Sequence, residues 1–203
     1  MERCRVKTAD GRSCGRIRDV YFEDLSWQLR HLVLSIEPSP FGRKQVLLSP
    51  GQVECLSEAE VCLHLKLAAA EVAELPFANS VLPVCKQYAA LALSSRGAGL
   101  SGRYAGRSNP HLRSFRSVMT CQVEGPGDFL GSVADLLVDD QRWEIRYMAV
   151  EQSFGNKKLN FHILPQSIER FTWTTQRVVL RALQPVAVAL GELPIERAPN
   201  AAA

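Results

Sequence analysis

Three side chains of types that bind soft metal ions fall close together in this chain: Cys55, Cys62 and His64. Cys62 and His64 are two apart in the apolar run EVCLHLKL, residues 60 to 67, so on a strand they share a face. With Cys55 on a neighbouring segment they would supply three ligands of a zinc site. No fourth ligand is evident, and the corresponding stretches of the second half of the chain carry Arg170, Val179 and Arg181 instead. The cysteines (4, 14, 55, 62, 85 and 121) form no CxxC pair. They are therefore read as small hydrophobes of a reducing compartment, and no metal or other cofactor is expected.

Paired carboxylates are the next candidates, at Glu23-Asp24 and Asp139-Asp140. Adjacent acids at a hairpin tip diverge into water, where a perturbed pKa is hard to sustain, so turn formation is the preferred reading over acid/base or metal chemistry. Asp19 with Arg30 and Asp135 with Arg146 recur as pairs, and a hairpin between them would bring their strands side by side. The expectation is a cross-strand ion pair that fixes register. Gly97-Ala98-Gly99-Leu100-Ser101-Gly102 imitates a dinucleotide loop but follows no strand of a βαβ unit. Nucleophile elbow, HExxH and phosphate-loop patterns are absent from the sequence.

The remaining candidate is electrostatic. The chain of 203 residues carries a net charge of +3, and no acidic residue occurs between Lys86 and Val123. Arg96, Arg103, Arg107, Arg113 and Arg116 lie in that stretch beside Tyr104 and Phe115. Arginines interleaved with aromatics suit RNA, by charge and stacking. A solvated linker is the plainer account of charges spaced this widely, and both readings stay open.

The elements that must position these residues are set by a repeat. Residues 15 to 34, GRIRDVYFEDLSWQLRHLVL, recur without a gap as residues 131 to 150, GSVADLLVDDQRWEIRYMAV. The copies share Gly15/Gly131, Asp19/Asp135, Asp24/Asp140, Trp27/Trp143 and Arg30/Arg146. Internal repetition in a chain that is 46% hydrophobic and 22% charged points to two small globular domains rather than one large one. A glycine inside a strand pattern signals a bulge or close backbone approach, here twice.

Along each copy the pattern predicts a short first strand (3 to 8 in the first), a strand of 14 to 22 through the glycine, a tip at 23 to 26, and a return strand of 28 to 36 or 144 to 152. The return strands are too apolar for a sheet with a freely solvated face. Strands at 45 to 49 and 158 to 164 each end at a proline, and 60 to 67 and 177 to 183 are the last. Short helical pieces are expected at 68 to 75 and 185 to 193, and residues 80 to 93 hold a strand or one helix.

The glycine, the hydrophobic-x-Asp step, the acidic turn, Trp and the Ile-Arg-Tyr strand, followed by Gly-x-Lys and a strand ending in proline, resemble the PRC-barrel family. The resemblance covers residues 11 to 76 and 127 to 194; the first copy departs from the family pattern at His31 and in its longer turn from Glu37 to Arg43. It implies a mainly all-β protein: two small, mostly antiparallel PRC-like β-barrels in tandem, with short helical pieces and a loop-rich connection. The closest subtype is the bacterial tandem form.

The domains expected are a first barrel at 1–76, a Gly/Arg-rich connecting segment at 77–115, a second barrel at 116–197 and a frayed tail at 198–203. With no apolar run of signal-peptide or membrane-spanning type in the sequence, a cytoplasmic location is expected. The function expected is a non-catalytic protein-interaction or adaptor module, its protein partner unnamed, and not an enzyme. An RNA- or ribosome-associated factor using the basic middle is the alternative. The two barrels packing on each other, or a homodimer, are the assemblies left open.

Overall fold

The structure is a computed structural model, and it describes residues 4–36, 44–57, 60–94, 109–154, 157–181 and 188–189. Fourteen strands and three short helices are found among them. In chain order the first strands are β1 (Arg5–Lys7), β2 (Ser13–Glu23), β3 (Leu29–Ile36), β4 (Lys44–Leu48), β5 (Val53–Ser57) and β6 (Cys62–Leu65). Helices α1 (Ala69–Ala73) and α2 (Val84–Ser94), strand β7 (Leu112–Ser114) and helix α3 (Phe115–Val118) follow. The rest of the chain adds β8 (Gln122–Glu124), β9 (Phe129–Asp139), β10 (Glu144–Phe154), β11 (Lys157–Ile163), β12 (Ile168–Thr172), β13 (Arg177–Leu180) and β14 (Val188–Ala189).

They form two mixed seven-stranded sheets. The first has the order β4-β3-β2-β1-β6-β5, with β7 also paired to β2; the second has the order β12-β13-β8-β9-β10-β11-β14. Most pairings are antiparallel, and β1 with β6 and β8 with β13 are parallel. The chain divides into two compact units, residues 1–120 with 138–146, and residues 121–137 with 147–203. The tip of the β9–β10 hairpin thus belongs to the first unit, where Glu144 bridges Gln28; Leu29 N donates to Trp143 O (2.8 Å) and Ile145 N to Trp27 O (2.9 Å).

Burial explains the first sheet. In β2 the alternating pattern gives way to continuous burial from Asp19 to Phe22, and in β3 Leu32 to Ser35 are all buried. Both faces are covered there, as the apolar return strand predicts. One layer consists of Tyr21, Val33, Leu47, Ala78 and Leu112, with Val81 packed against it. Ala78 and Leu112 thus bring two points of the connecting segment into the core, while Phe77, Asn79 and Ser80 beside them are exposed. In β10 the outcome differs: Ile145, Met148 and Val150 are buried while Tyr147 and Ala149 are only half-buried, which leaves one face partly open.

Two glycines are required by close approach. Gly15 and Gly131 have φ of +146° and +145°, and a Cβ there would meet Ser35 O at 1.9 Å and Glu151 O at 2.3 Å. The backbones of neighbouring strands touch at these points, the role the repeat assigned to them. Trp27 and Trp143 also have positive φ, 59° and 55°, as do Val61 (48°) and Gln176 (52°). Single-turn 3-10 helices begin at Pro50 and Pro165.

Several elements differ from expectation. Residues 53–57 and 168–172, where the sequence pattern names no strand, are strands, because each pairs with the strand that follows it. Residues 80 to 93 hold a helix, α2. The helical piece expected at 185 to 193 is strand at β14, paired to β11, and its other residues lie outside those described. Among the described residues no helix is long and apolar enough to cross a membrane.

Candidate functional site

The repeated Asp/Arg pairs are not ion pairs. In the β2–β3 register Asp19 stands opposite Val33 and Tyr21 opposite His31, with irregularities on either side of this stretch. Arg30 therefore lies nearer the tip, where it binds Glu23, while Asp19 faces the covered side of the sheet and is buried. The second copy does the same: Arg146 binds Asp139 (3.1 Å), and Asp135 accepts from its neighbour Leu136 N at 2.8 Å. Arginine and turn acid brace the hairpin in both cases. The Arg30 and Ser26 hydrogen bonds hold Glu23 below the ordinary carboxylate range.

Asp19 has acquired partners from a distant segment. Its Oδ2 accepts from Ser114 Oγ (2.7 Å), and its Oδ1 accepts from Val20 N (2.8 Å) and Arg116 N (3.3 Å). Burial nevertheless raises its pKa, the hydrogen bonds opposing that shift. Ser114 also caps α3 by accepting from Ser117 N, and Ser117 Oγ lies 3.0 Å from Cys85 Sγ. Lys86 donates to the buried Tyr21 hydroxyl at 2.7 Å, and burial raises that tyrosine's pKa. The whole network joins β2, β7, α2 and α3, and its members are spent on one another.

Asp24 corrects a second expectation, that the tip acids stand in water. Its side chain is 11% exposed and accepts from Arg113 Nε (2.6 Å) and Arg113 Nη2 (2.5 Å), with His111 Nδ1 at 2.9 Å. Asp24 N donates to His111 O as well. Asp139, by contrast, acts as the turn residue foreseen, accepting from Gln141 N and Arg142 N.

Arg113, one of the arginines offered for RNA, is 8% exposed and neutralises Asp24, so it is not a surface anion contact. Arg116 is exposed. Arg96, Arg103 and Arg107, with the glycine-rich run, lie outside the described residues.

The metal candidates are brought together in altered form. Glu60, Cys62 and His64 place their ligand atoms within 4.8 Å of one another, with Glu60 exposed, His64 half-buried and Cys62 buried. Cys55 stands opposite His64 in the β5–β6 ladder and is exposed, but it is not a member of this group. Glu60, which the sequence reading overlooked, takes its place; it sits two residues before Cys62, and its ligand type was the only signal. Lys7 binds Glu60 at 2.6 Å, which lowers the pKa of the acid and raises that of the lysine. Of the other cysteines, Cys14 is pushed up to about 11 by burial and Cys4 is raised in the same way, as inert core thiols are.

No protein-family model matches the chain, and no curated protein matches it in sequence.

Proposed function

We propose that this chain is a tandem PRC-barrel protein that acts as a non-catalytic interaction module. The family reading draws support from devices found in both copies: the strained Trp27 and Trp143, the close-approach Gly15 and Gly131, the positive-φ Val61 and Gln176, and the parallel pairings of β1 with β6 and β8 with β13. The repeat signature is in this reading a folding device, since Asp19, Arg30, Asp135 and Arg146 bond to nearby backbone and side chains.

One observation carries the interaction reading. Leu25, Phe77, Phe129 and Leu159 keep 70%, 56%, 54% and 55% of their surface in solvent. Apolar side chains exposed together in a contiguous patch anchor protein partners, and in this reading these four contribute to such surface. Recovery of a nuclease-resistant partner from native lysate, and its loss when Phe77 and Phe129 are changed to Asp, tests this.

The sequence stretch without acids keeps RNA as the second reading. Salt-dependent RNA binding that falls when Arg103 and Arg107 become Ala would favour it. Arg113 does not belong in that test, because its removal strips a buried carboxylate of its partner.

A further inference from the structure

The geometry points to a zinc site on the face of the β1–β6 pair that carries Arg5 and Lys7, formed by Glu60, Cys62 and His64 with a fourth position open to water. It goes beyond the interaction reading and does not depend on it.

The placement follows from register. In the parallel β1–β6 ladder Arg5 stands beside Cys62, Val6 beside Leu63 and Lys7 beside His64. Val6, Leu63 and Leu65 are all buried at 2% or less and share one face of the pair; Cys62 on the other is buried as deeply, at 0%, beside the exposed Arg5 and Glu60. Cys62 and His64 alternate with them and project from the other face. Glu60 joins them through the turn at Val61, whose φ of 48° is strained for a β-branched residue and whose carbonyl is held by Arg5 N (3.2 Å) and Cys4 Sγ (3.2 Å). The turn is thereby fixed, and with it the approach of Glu60 to Cys62.

The donor set selects the ion. A thiolate, an imidazole and a carboxylate within 4.8 Å suit a tetrahedral, borderline-soft cation, whereas calcium and magnesium require oxygen. The graded burial matters too: the buried sulfur is shielded from solvent, and the exposed carboxylate gives the ion its way in. The corresponding strands of the second sheet use the place differently. There Gln122 stands beside Arg177 and Glu124 beside Val179, and Arg177 binds Glu124. That face carries an ordinary ion pair, so the turn and strand geometry alone do not assemble three ligands.

Zinc entry requires two local changes. The Cys62 thiol proton leaves to solvent as the S–Zn bond forms, and the Lys7 ammonium is displaced from Glu60. Arg5 and Lys7 are the positive charges that oppose the ion, and Lys7→Ala should therefore tighten binding.

The test uses the full chain without affinity histidines, stripped by chelator and titrated with Co2+, then Zn2+. Expected are one equivalent of Co2+ with a thiolate-to-cobalt charge-transfer band, bleached by Zn2+, and affinity lowered about tenfold or more by His64→Ala and by Glu60→Ala. Both of these residues reach the surface, so the variants are expected to keep the far-ultraviolet dichroism of the wild type. Cys62→Ser removes the band and Cys55→Ser leaves it unchanged. A wild-type protein without the band, or a band that survives His64→Ala and disappears with Cys55→Ser, overturns the assignment.

Discussion

Ser114 donates its hydroxyl to the Asp19 carboxylate at 2.7 Å, across 95 residues of sequence, and so ties β7 to the centre of β2. The same carboxylate accepts from the N-terminal turn of α3, while Ser114 Oγ accepts from Ser117 N. An acid that the repeat marks as a signature residue is in the first copy a buried anchor for the returning chain. Its counterpart Asp135 is exposed.

Asp19 makes stability depend on pH with a definite sign. Its pKa is raised in the folded state, so its contribution is full below the ordinary Asp value of 3.8 and is lost as pH rises through the folded value. Asp19→Asn keeps acceptors for the two backbone N–H groups and a donor for Ser114. Urea denaturation from pH 4 to 7 should show this variant gaining on the wild type as pH rises. Asp19→Ala leaves the donors unpaired and should cost about 2 to 4 kcal/mol.

The close-approach glycines should be intolerant. Gly15→Ala forces a Cβ to 1.9 Å from Ser35 O at a φ of +146°, and the loss should be about 3 kcal/mol or more. Gly131→Ala should behave alike. At Gly51 the nearest atom would be 3.9 Å away, and Gly51→Ala should change the urea midpoint little.

Asp24 and Arg113, exposed 11% and 9%, form a forked pair shielded from water. Arg113→Ala should cost about 3 to 5 kcal/mol by stranding the acid. Arg30→Ala breaks only the exposed bond to Glu23 and should cost less than about 1 kcal/mol. Thermal denaturation of both variants compares them directly.

Val61 is 63% exposed with a φ of 48°, unfavourable for a branched residue and harmless for glycine. Val61→Gly should raise stability by about 1 kcal/mol in a denaturant titration.

Local pattern foretold much of the first sheet. The glycine, the tip and the return strand were legible because strand alternation and turn chemistry act over a few residues. What the repeat could not show is register. A tip at 23 to 26 would set Arg30 beside Asp19, but the ladder pairs Phe22 with Leu29 and Tyr21 with His31, so the tip lies further along the chain and Arg30 reaches Glu23 instead. Long-range closure is equally hidden: Leu112, Arg113 and Ser114 read as loop, and only the backbone pairing with Tyr21, Phe22 and Glu23 of β2 makes them a strand. At the metal candidate the sequence names Cys62 and His64 but pairs them with Cys55, because the turn that brings Glu60 toward Cys62 has no sequence signature.

The interaction reading is tested most directly by affinity capture from native lysate with the full chain as bait, with and without nuclease, beside a bait carrying Phe77→Asp and Phe129→Asp. A protein recovered in stoichiometric amount, indifferent to nuclease and absent from the variant bait, is the predicted result. Recovery only while RNA is intact, or equal recovery by both baits, would contradict it.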